Sequence, residues 1–230
     1  MIDKVLASGS KANCYKISNG LTNLLIECGL PVNKIKAKLD YKLQDIDGCI
    51  ITHFHKDHSY AVNYLINLGV ECYMTKETAD YMRATGAKII QPGKQFKVGT
   101  FTIMPFRTEH CPGSVGYLIY SNPTNEKLLF LTDTYYSKYQ FKDLNYIMIE
   151  CNYEIDILKN NLENGIVHPA VADRLYTSHF SLQNVKDFLR ANDLRRVQEI
   201  YLIHLSKKNA DPDRFKKEIQ ALTGKIIHVC

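Results

Sequence analysis

Short apolar runs alternate with longer amphipathic stretches along the whole chain. Near the start, Lys4–Ala7, Cys14–Ile17 and Asn23–Glu27 read as strands, with Gly9 and Gly20 marking turns between them. Pro31 opens a helix predicted to run to about Leu39, since proline suits a first helical turn. Gly48–Thr52 is a short apolar strand that ends at His53. Beyond His58 the period changes. Ala61, Tyr64, Leu65 and Leu68 fall at i, i+3, i+4 and i+7, the apolar face of a helix that Gly69 ends. Glu71–Met74, Phe96–Val98, Phe101–Phe106, Val115–Tyr120, Lys127–Leu131, Tyr146–Ile149, Glu199–Ile203 and Lys225–Val229 read as further strands. Helices are expected over Lys76–Thr85, Leu182–Ala191 with Ser181 as its cap, and Pro212–Leu222. Strands grouped first and then interleaved with helices predict a layered mixed fold in which helices cover sheets.

Composition narrows this picture. A length of 230 residues suits one large domain over 1–230, and 45 % hydrophobic with 23 % charged residues is that of an ordinary globular protein. The net charge of +5 is compatible with an anionic substrate without requiring one. Lys34, Lys36, Lys38 and Lys42 are spread along a predicted helix and read as a solvated face. Seven cysteines, an odd number with no C-x-x-C pair, read as free thiols in a reducing cytoplasm. The start of the chain turns polar too soon for a signal peptide, and no apolar run has the length of a membrane span. The expectation is a cytoplasmic protein with no membrane association.

The chemistry collects where strands end. Ile50-Ile51-Thr52 leads to His53, Leu129-Phe130-Leu131-Thr132 to Asp133, Ile147-Met148-Ile149 to Glu150, and Tyr201-Leu202-Ile203 to His204. Loops at strand ends, held by a rigid sheet, are where sites are built. The strongest feature is His53-Phe54-His55-Lys56-Asp57-His58. In extended backbone His53 and His55 point the same way, and Asp57 and His58 follow at the turn into a helix. Three imidazoles and a carboxylate this close suit zinc, and also manganese or iron. A chance cluster is improbable with only eight histidines in the chain.

His-x-His-x-Asp-His between a strand and a helix resembles the signature of the metallo-β-lactamase fold. The later motifs follow in that family's order, with His110 in Thr108-Glu109-His110, Asp133 in Thr132-Asp133-Thr134, and His204 in His204-Leu205-Ser206. The resemblance implies an α+β four-layer αββα sandwich, two mixed β-sheets flanked by helices. It also implies two divalent metals, zinc or manganese. His53, His55 and His110 would hold one, Asp57, His58 and His204 the other, and Asp133 would bridge them. Two cations about 3.5–4 Å apart can share a hydroxide and clamp attacking and leaving oxygens, and Asp57 can orient that hydroxide. Glu27 stands where the family has an aspartate that supports the site from behind. The charge is kept, and the side chain is longer by a methylene. His168 and His228 lack any such context and read as structural.

Tyr176-Thr177-Ser178-His179-Phe180-Ser181 resembles the Gly-His-Leu-Ser motif of ribonuclease Z-like phosphodiesterases, and Glu150 in Ile149-Glu150-Cys151-Asn152 resembles the glutamate that pairs with its histidine. Ser8–Cys14 and His204–Asn209 resemble segments of small bacterial DNA exonucleases of this fold. The branch implies catalytic roles for Asp57, Glu150 and His179, with the Glu150–His179 pair assisting the leaving oxygen, and phosphate contacts from Arg174, Ser206 and Asn209. The expected activity is a dinuclear phosphodiesterase in which a metal-bridging hydroxide attacks a nucleotide substrate. That substrate is a cyclic nucleotide, immune signals among them, or the end of a DNA or RNA chain. Transfer RNA is disfavoured, because the long inserted arm of ribonuclease Z is missing. A thioester or lactam hydrolase is the alternative and would not need the Glu150–His179 pair. A non-catalytic metal scaffold fits poorly with acid–base residues beside a full ligand set. The resemblance also allows a homodimer.

Overall fold

The computed structural model describes residues 1–230. The chain packs into two compact units, residues 1–107 with 111–126, and residues 108–110 with 127–230.

The first unit begins with strands β1 (Ile2–Ala7), β2 (Cys14–Ser18) and β3 (Asn23–Ile26), followed by helix α1 (Val32–Lys38) and strand β4 (Gly48–Ile50). Helices α2 (Lys56–Ser59) and α3 (Val62–Asn67), strand β5 (Cys72–Met74), helix α4 (Lys76–Met82) and strand β6 (Lys88–Ile89) come next. The six strands form a sheet in the order β1-β2-β3-β4-β5-β6. It is antiparallel from β1 to β3 and parallel from β3 to β6. Its core is aliphatic and includes Leu25, Ile35, Ile51, Leu65 and Met74, with Cys28, Cys49 and Cys72 among them. Strands β7 (Phe96–Val98), β8 (Phe101–Arg107) and β9 (Val115–Ser121) form an antiparallel meander in the same unit. Buried Tyr117 on β9 donates to the Ile51 carbonyl at 2.6 Å, which fixes the chain just before the His53 segment.

The second unit contains four parallel strands, β10 (Glu126–Leu131), β11 (Tyr146–Glu150), β12 (Glu199–Ile203) and β13 (Ile226–Val229), in that spatial order. The helices are α5 (Ile155–Glu163), α6 (Pro169–Ser178), α7 (Leu182–Ala191) and α8 (Pro212–Thr223). β11 is buried along its whole length, as a strand in a covered parallel sheet should be. The register pairs Leu131 with Ile149, Ile149 with Leu202, and Glu150 with Ile203. The carboxyl ends of β10, β11 and β12 are therefore level, and Asp133, Glu150 and His204 emerge at one edge.

The strand and helix expectations hold to within a few residues, and α7 and β12 fall on their predicted bounds. Ser181 caps α7 by accepting from the Asn184 N–H at 3.1 Å. Two helices were not expected, α5 and α6. They are capped by Glu154 and by His168, whose Nδ1 accepts from the Ala170 N–H. His168 is thus structural, and His228 likewise stacks on Tyr201 with ring centroids 4.4 Å apart. The third strand stops at Ile26 rather than Glu27, because Glu27 turns to φ 65°. The helix begun at Lys76 ends at Met82, where Arg83 adopts φ 50°.

Candidate metal centre

In the first unit the four signature residues lie together at the end of β4 and the start of α2. His53 Nδ1 meets Thr52 Oγ1 at 2.9 Å, which leaves Nε2 facing His55 Nδ1 at 3.0 Å. The rings of His53 and His58 are 4.3 Å apart. His58 Nε2 lies 3.2 Å from Asp57 Oδ2 and 3.2 Å from the Asn13 amide nitrogen. Behind it, fully buried Glu27 places Oε1 at 3.6 Å from His58 Nδ1 and faces the Thr52 N–H at 3.3 Å. Glu27 thus stands behind His58 and the Thr52 amide, the supporting position expected of it, with its backbone at φ 65°.

Main-chain hydrogen bonds stitch this segment to its neighbours. Asn13 N–H donates to the Asp57 carbonyl at 2.7 Å, Cys28 N–H to the His58 carbonyl at 2.7 Å, and Gly29 N–H to the Asn13 carbonyl at 2.9 Å. The approach is so close that a Cβ at Gly29 would stand 1.7 Å from the Asp57 carbonyl oxygen.

In the second unit His110, Asp133, Glu150, His179 and His204 come together. His110 Nδ1 faces the Ser178 carbonyl at 3.2 Å, which turns Nε2 toward Asp133 Oδ2 at 3.5 Å. His204 Nε2 faces Asp133 Oδ1 at 3.7 Å. His179 stacks on His204, with centroids 5.5 Å apart and planes 9° from parallel.

Glu150, with no exposed surface, holds both of these rings. Its Oε1 meets His179 Nδ1 at 2.6 Å and His204 Nδ1 at 2.9 Å, and accepts from Asn152 Nδ2 at 3.2 Å. Its Oε2 accepts from the N–H groups of Thr134 and Phe180, both at 3.3 Å. Burial and the neighbouring Asp133 oppose its charge, but the charge of His179 and the hydrogen bonds from His179 and His204 outweigh them, and the carboxyl is held below its usual range. For His179, too, burial disfavours the charged form, yet the Glu150 carboxylate prevails and the imidazole stays protonated to higher pH than usual.

The donors fit divalent ions. Ligands about 2.1 Å from a tetrahedral zinc stand ~3.4 Å apart. The buried Nε2 atoms of His110 and His204 face the two Asp133 oxygens at that kind of spacing, too far for hydrogen bonds. Each has its Nδ1 held by a carbonyl or carboxylate, the usual support of a ligating histidine.

Of the three expected phosphate contacts, Ser206 is tied to the cluster, its N–H donating at 2.9 Å to the carbonyl of Asn152. Arg174 is exposed on α6. Ser206 accepts from the Asn209 N–H and its amide, both at 3.3 Å, and Asn209 is 3 % exposed with its Oδ1 accepting from Asn161. Sequence reasoning gave no role to Asn13, Asn152 or Thr52, and it paired Glu150 with His179 alone. Asn152 was within reach, since it stands two residues after Glu150.

Strand-end histidines and carboxylates on this architecture define a metal-dependent hydrolase, and the chain belongs to the metallo-beta-lactamase superfamily, whose model matches residues 8–143. The fold is that of the superfamily, two mixed β-sheets flanked by helices. The chain is similar to exodeoxyribonuclease WalJ of Streptococcus pneumoniae, 27 % identical over 223 residues that cover 89 % of this chain and 81 % of that protein. It is similar as well to exodeoxyribonuclease YycJ of Bacillus anthracis, 25 % identical over 222 residues, 89 % and 82 % of the two chains. Among solved structures, the metallo-beta-lactamase fold protein YhfI of Bacillus subtilis aligns with a TM-score of 0.70 at 16 % identity, covering 98 % of this chain and 95 % of that one. The short form of human tRNase Z aligns at 0.65 and 15 % identity, covering 99 % and 95 %. No helix is long and apolar enough to cross a membrane.

Proposed function

We propose that this protein is a metal-dependent phosphodiesterase that hydrolyses DNA from an end. The observation that carries the reading is the buried Glu150–His179 pair at 2.6 Å. Cleaving a phosphodiester expels an alkoxide that needs a proton, whereas a lactam or thioester hydrolase of this fold has no use for such a pair. Glu150 holds His179 by Nδ1, so Nε2 is the nitrogen that carries the proton to the leaving oxygen. The exodeoxyribonuclease names of the two relatives favour DNA ends over a cyclic nucleotide.

The ligand assignment follows the order of the motifs. On that order, His53, His55 and His110 would hold one divalent metal and Asp57, His58 and His204 a second, with Asp133 as a further carboxylate ligand. Bound metals supply charge stabilisation at the phosphoryl oxygens and an activated nucleophile. Zinc suits the imidazole-rich set, and manganese the carboxylates. Around them, Glu27 and Thr52 orient the first unit's histidines, while Glu150 and the Ser178 carbonyl orient His204 and His110. Arg174 and Ser206 stand as phosphate contacts of the reading, while the Asn209 amide is committed to Ser206 and Asn161.

The test is hydrolysis of bis-p-nitrophenyl phosphate by metal-loaded protein, with and without chelator, for wild type and His179→Ala. Metal-dependent turnover that falls about a hundredfold or more in the variant is expected. A fully metallated wild type that turns over a thioester or a lactam but no phosphodiester would overturn the reading. End-labelled DNA and a panel of cyclic nucleotides then separate the two phosphodiester substrates.

A further inference from the structure

The second unit contains a concave pocket of about 480 Å³ to which the reaction above gives no role. One wall is the segment after β10, with Tyr135, Tyr136 and Tyr139, and the other is Phe180 with Asn184 and Phe188 of α7. Phe180 and Phe188 are buried and form the back, while Tyr135 and Tyr136 are 42 % and 56 % exposed at the front. The rings continue one another, with centroids of Phe180 and Phe188 6.2 Å apart, Phe188 and Phe141 6.4 Å, and Phe141 and Tyr139 6.3 Å.

From this arrangement we infer that the pocket is a nucleobase subsite, which stacks the base next to the phosphodiester being cut. The inference rests on the phosphodiesterase reading for its meaning, though its geometry is independent. The volume lies in the range of small-ligand sites, about 300–1,000 Å³. The exposed rings of Tyr135 and Tyr136 are the surfaces on which a base can stack, over a floor of buried phenylalanines, and every base has a π-face to offer them. The polar groups also suit a base better than an acyl chain. Asn184 donates through Nδ2 to the Tyr135 carbonyl at 2.9 Å, which leaves its Oδ1 to accept from an amino or imino group. Lys138 Nζ stands 5.8 Å from the Tyr139 ring centroid, a cation on the lining of the pocket. The one carboxylate there, Asp187, is answered by Arg190 at 2.8 Å and by Gln183 at 2.9 Å.

The pocket is anchored to the reacting edge. Thr134, which leads into the tyrosine segment, and Phe180 on the opposite wall both donate their N–H groups to Glu150 Oε2, and Glu150 Oε1 holds His179. Tyr135 is two residues from Asp133, at most about 7 Å of chain. The lining of the pocket is thus continuous along the chain with Asp133, two residues before Tyr135, and with His179, next to Phe180.

The experiment is calorimetric titration of the metal-loaded protein with deoxyadenosine 5′-monophosphate and, separately, with deoxyribose 5-phosphate, which carries the phosphate without a base. Wild type is expected to bind the nucleotide about tenfold more tightly, the advantage of one stacked base. Tyr135→Ala and Tyr136→Ala should each erase most of that ratio, and both side chains are exposed enough to be trimmed without unfolding the protein. Equal affinities in the wild type, or a ratio kept in both variants, would overturn the subsite. If the wild type shows the ratio but fails to turn over bis-p-nitrophenyl phosphate, the phosphodiesterase reading falls and the subsite stands. Turnover without the ratio removes the subsite and leaves the phosphodiesterase reading in place.

Discussion

Glu150 is a single carboxylate shared by five donors, namely two imidazoles, one side-chain amide and two backbone N–H groups. A buried carboxylate satisfied this fully is costly to alter, since every partner loses its acceptor at once. Groups that act through one partner are not additive when mutated. Glu150→Gln is expected to lower kcat/KM on bis-p-nitrophenyl phosphate about a hundredfold and to weaken metal retention measured by elemental analysis, because His204 loses its support too. Combined with His179→Ala, it should cost little beyond the worse single variant. Fully additive losses would show that the two residues act separately. The pairing of Glu150 with His179 was legible in the sequence because both stand in motifs with a family counterpart. The bond to His204 was not, because it depends on how β11 and β12 are registered, and no local pattern encodes that offset. The same holds for the left-handed backbone at Glu27, Asp133 and His204, with φ of 65°, 44° and 56°. Such conformations are uncommon for non-glycine residues, tend to gather at functional sites, and leave no trace in hydropathy.

At the scale of elements, three segments distant in sequence meet at Gly29, namely the turn at Asn13, the chain leaving β3, and the first turn of α2. Added volume here has nowhere to go, because the obstacle is the backbone of Asp57 rather than a flexible side chain. Gly29→Ala is expected to destabilise the protein by about 3 kcal/mol, the upper end of ordinary overpacking, and to lower metal affinity by moving Asp57. Thermal unfolding with and without metal measures both effects, and an unchanged midpoint would mean that the segment yields more easily than the contacts imply. Which elements could be read in advance follows from their pattern. α7 was found to the residue because Leu182, Val185, Phe188 and Leu189 mark one buried face behind a serine cap. α5 and α6 escaped because each buries few apolar side chains, Leu158 in the first, Ala172 and Leu175 in the second. Their small core gathers these three with Tyr153 and Val167, and Ile155 and Leu162 pack against it only partly buried.

At the scale of the molecule, the seven thiols report how the fold opens. Burial pushes the thiols of Cys14, Cys28, Cys49 and Cys151 upward, and Cys230 reaches about 11 for the same reason. Cys72 is buried as well, and Cys111 is half-buried. Thiolate is the reactive form, so a raised value means slower alkylation at any pH below it. At pH 8, Cys111 is expected to react first and Cys230 more slowly. The five buried thiols should react only as fast as the protein unfolds, in urea as in buffer. Modification of Cys28, Cys49 or Cys72 in the native protein at the rate of Cys111 would show that the first unit opens locally. The level carboxyl ends of β10, β11 and β12 have a longer consequence. Because Asp133, Glu150 and His204 are set by strands, the connecting segments that follow them can lengthen, shorten or exchange rings without disturbing the donors. A lineage built on this chassis is free to trade one substrate for another through its loops alone, and the tyrosines after Asp133 are where such divergence would first be written.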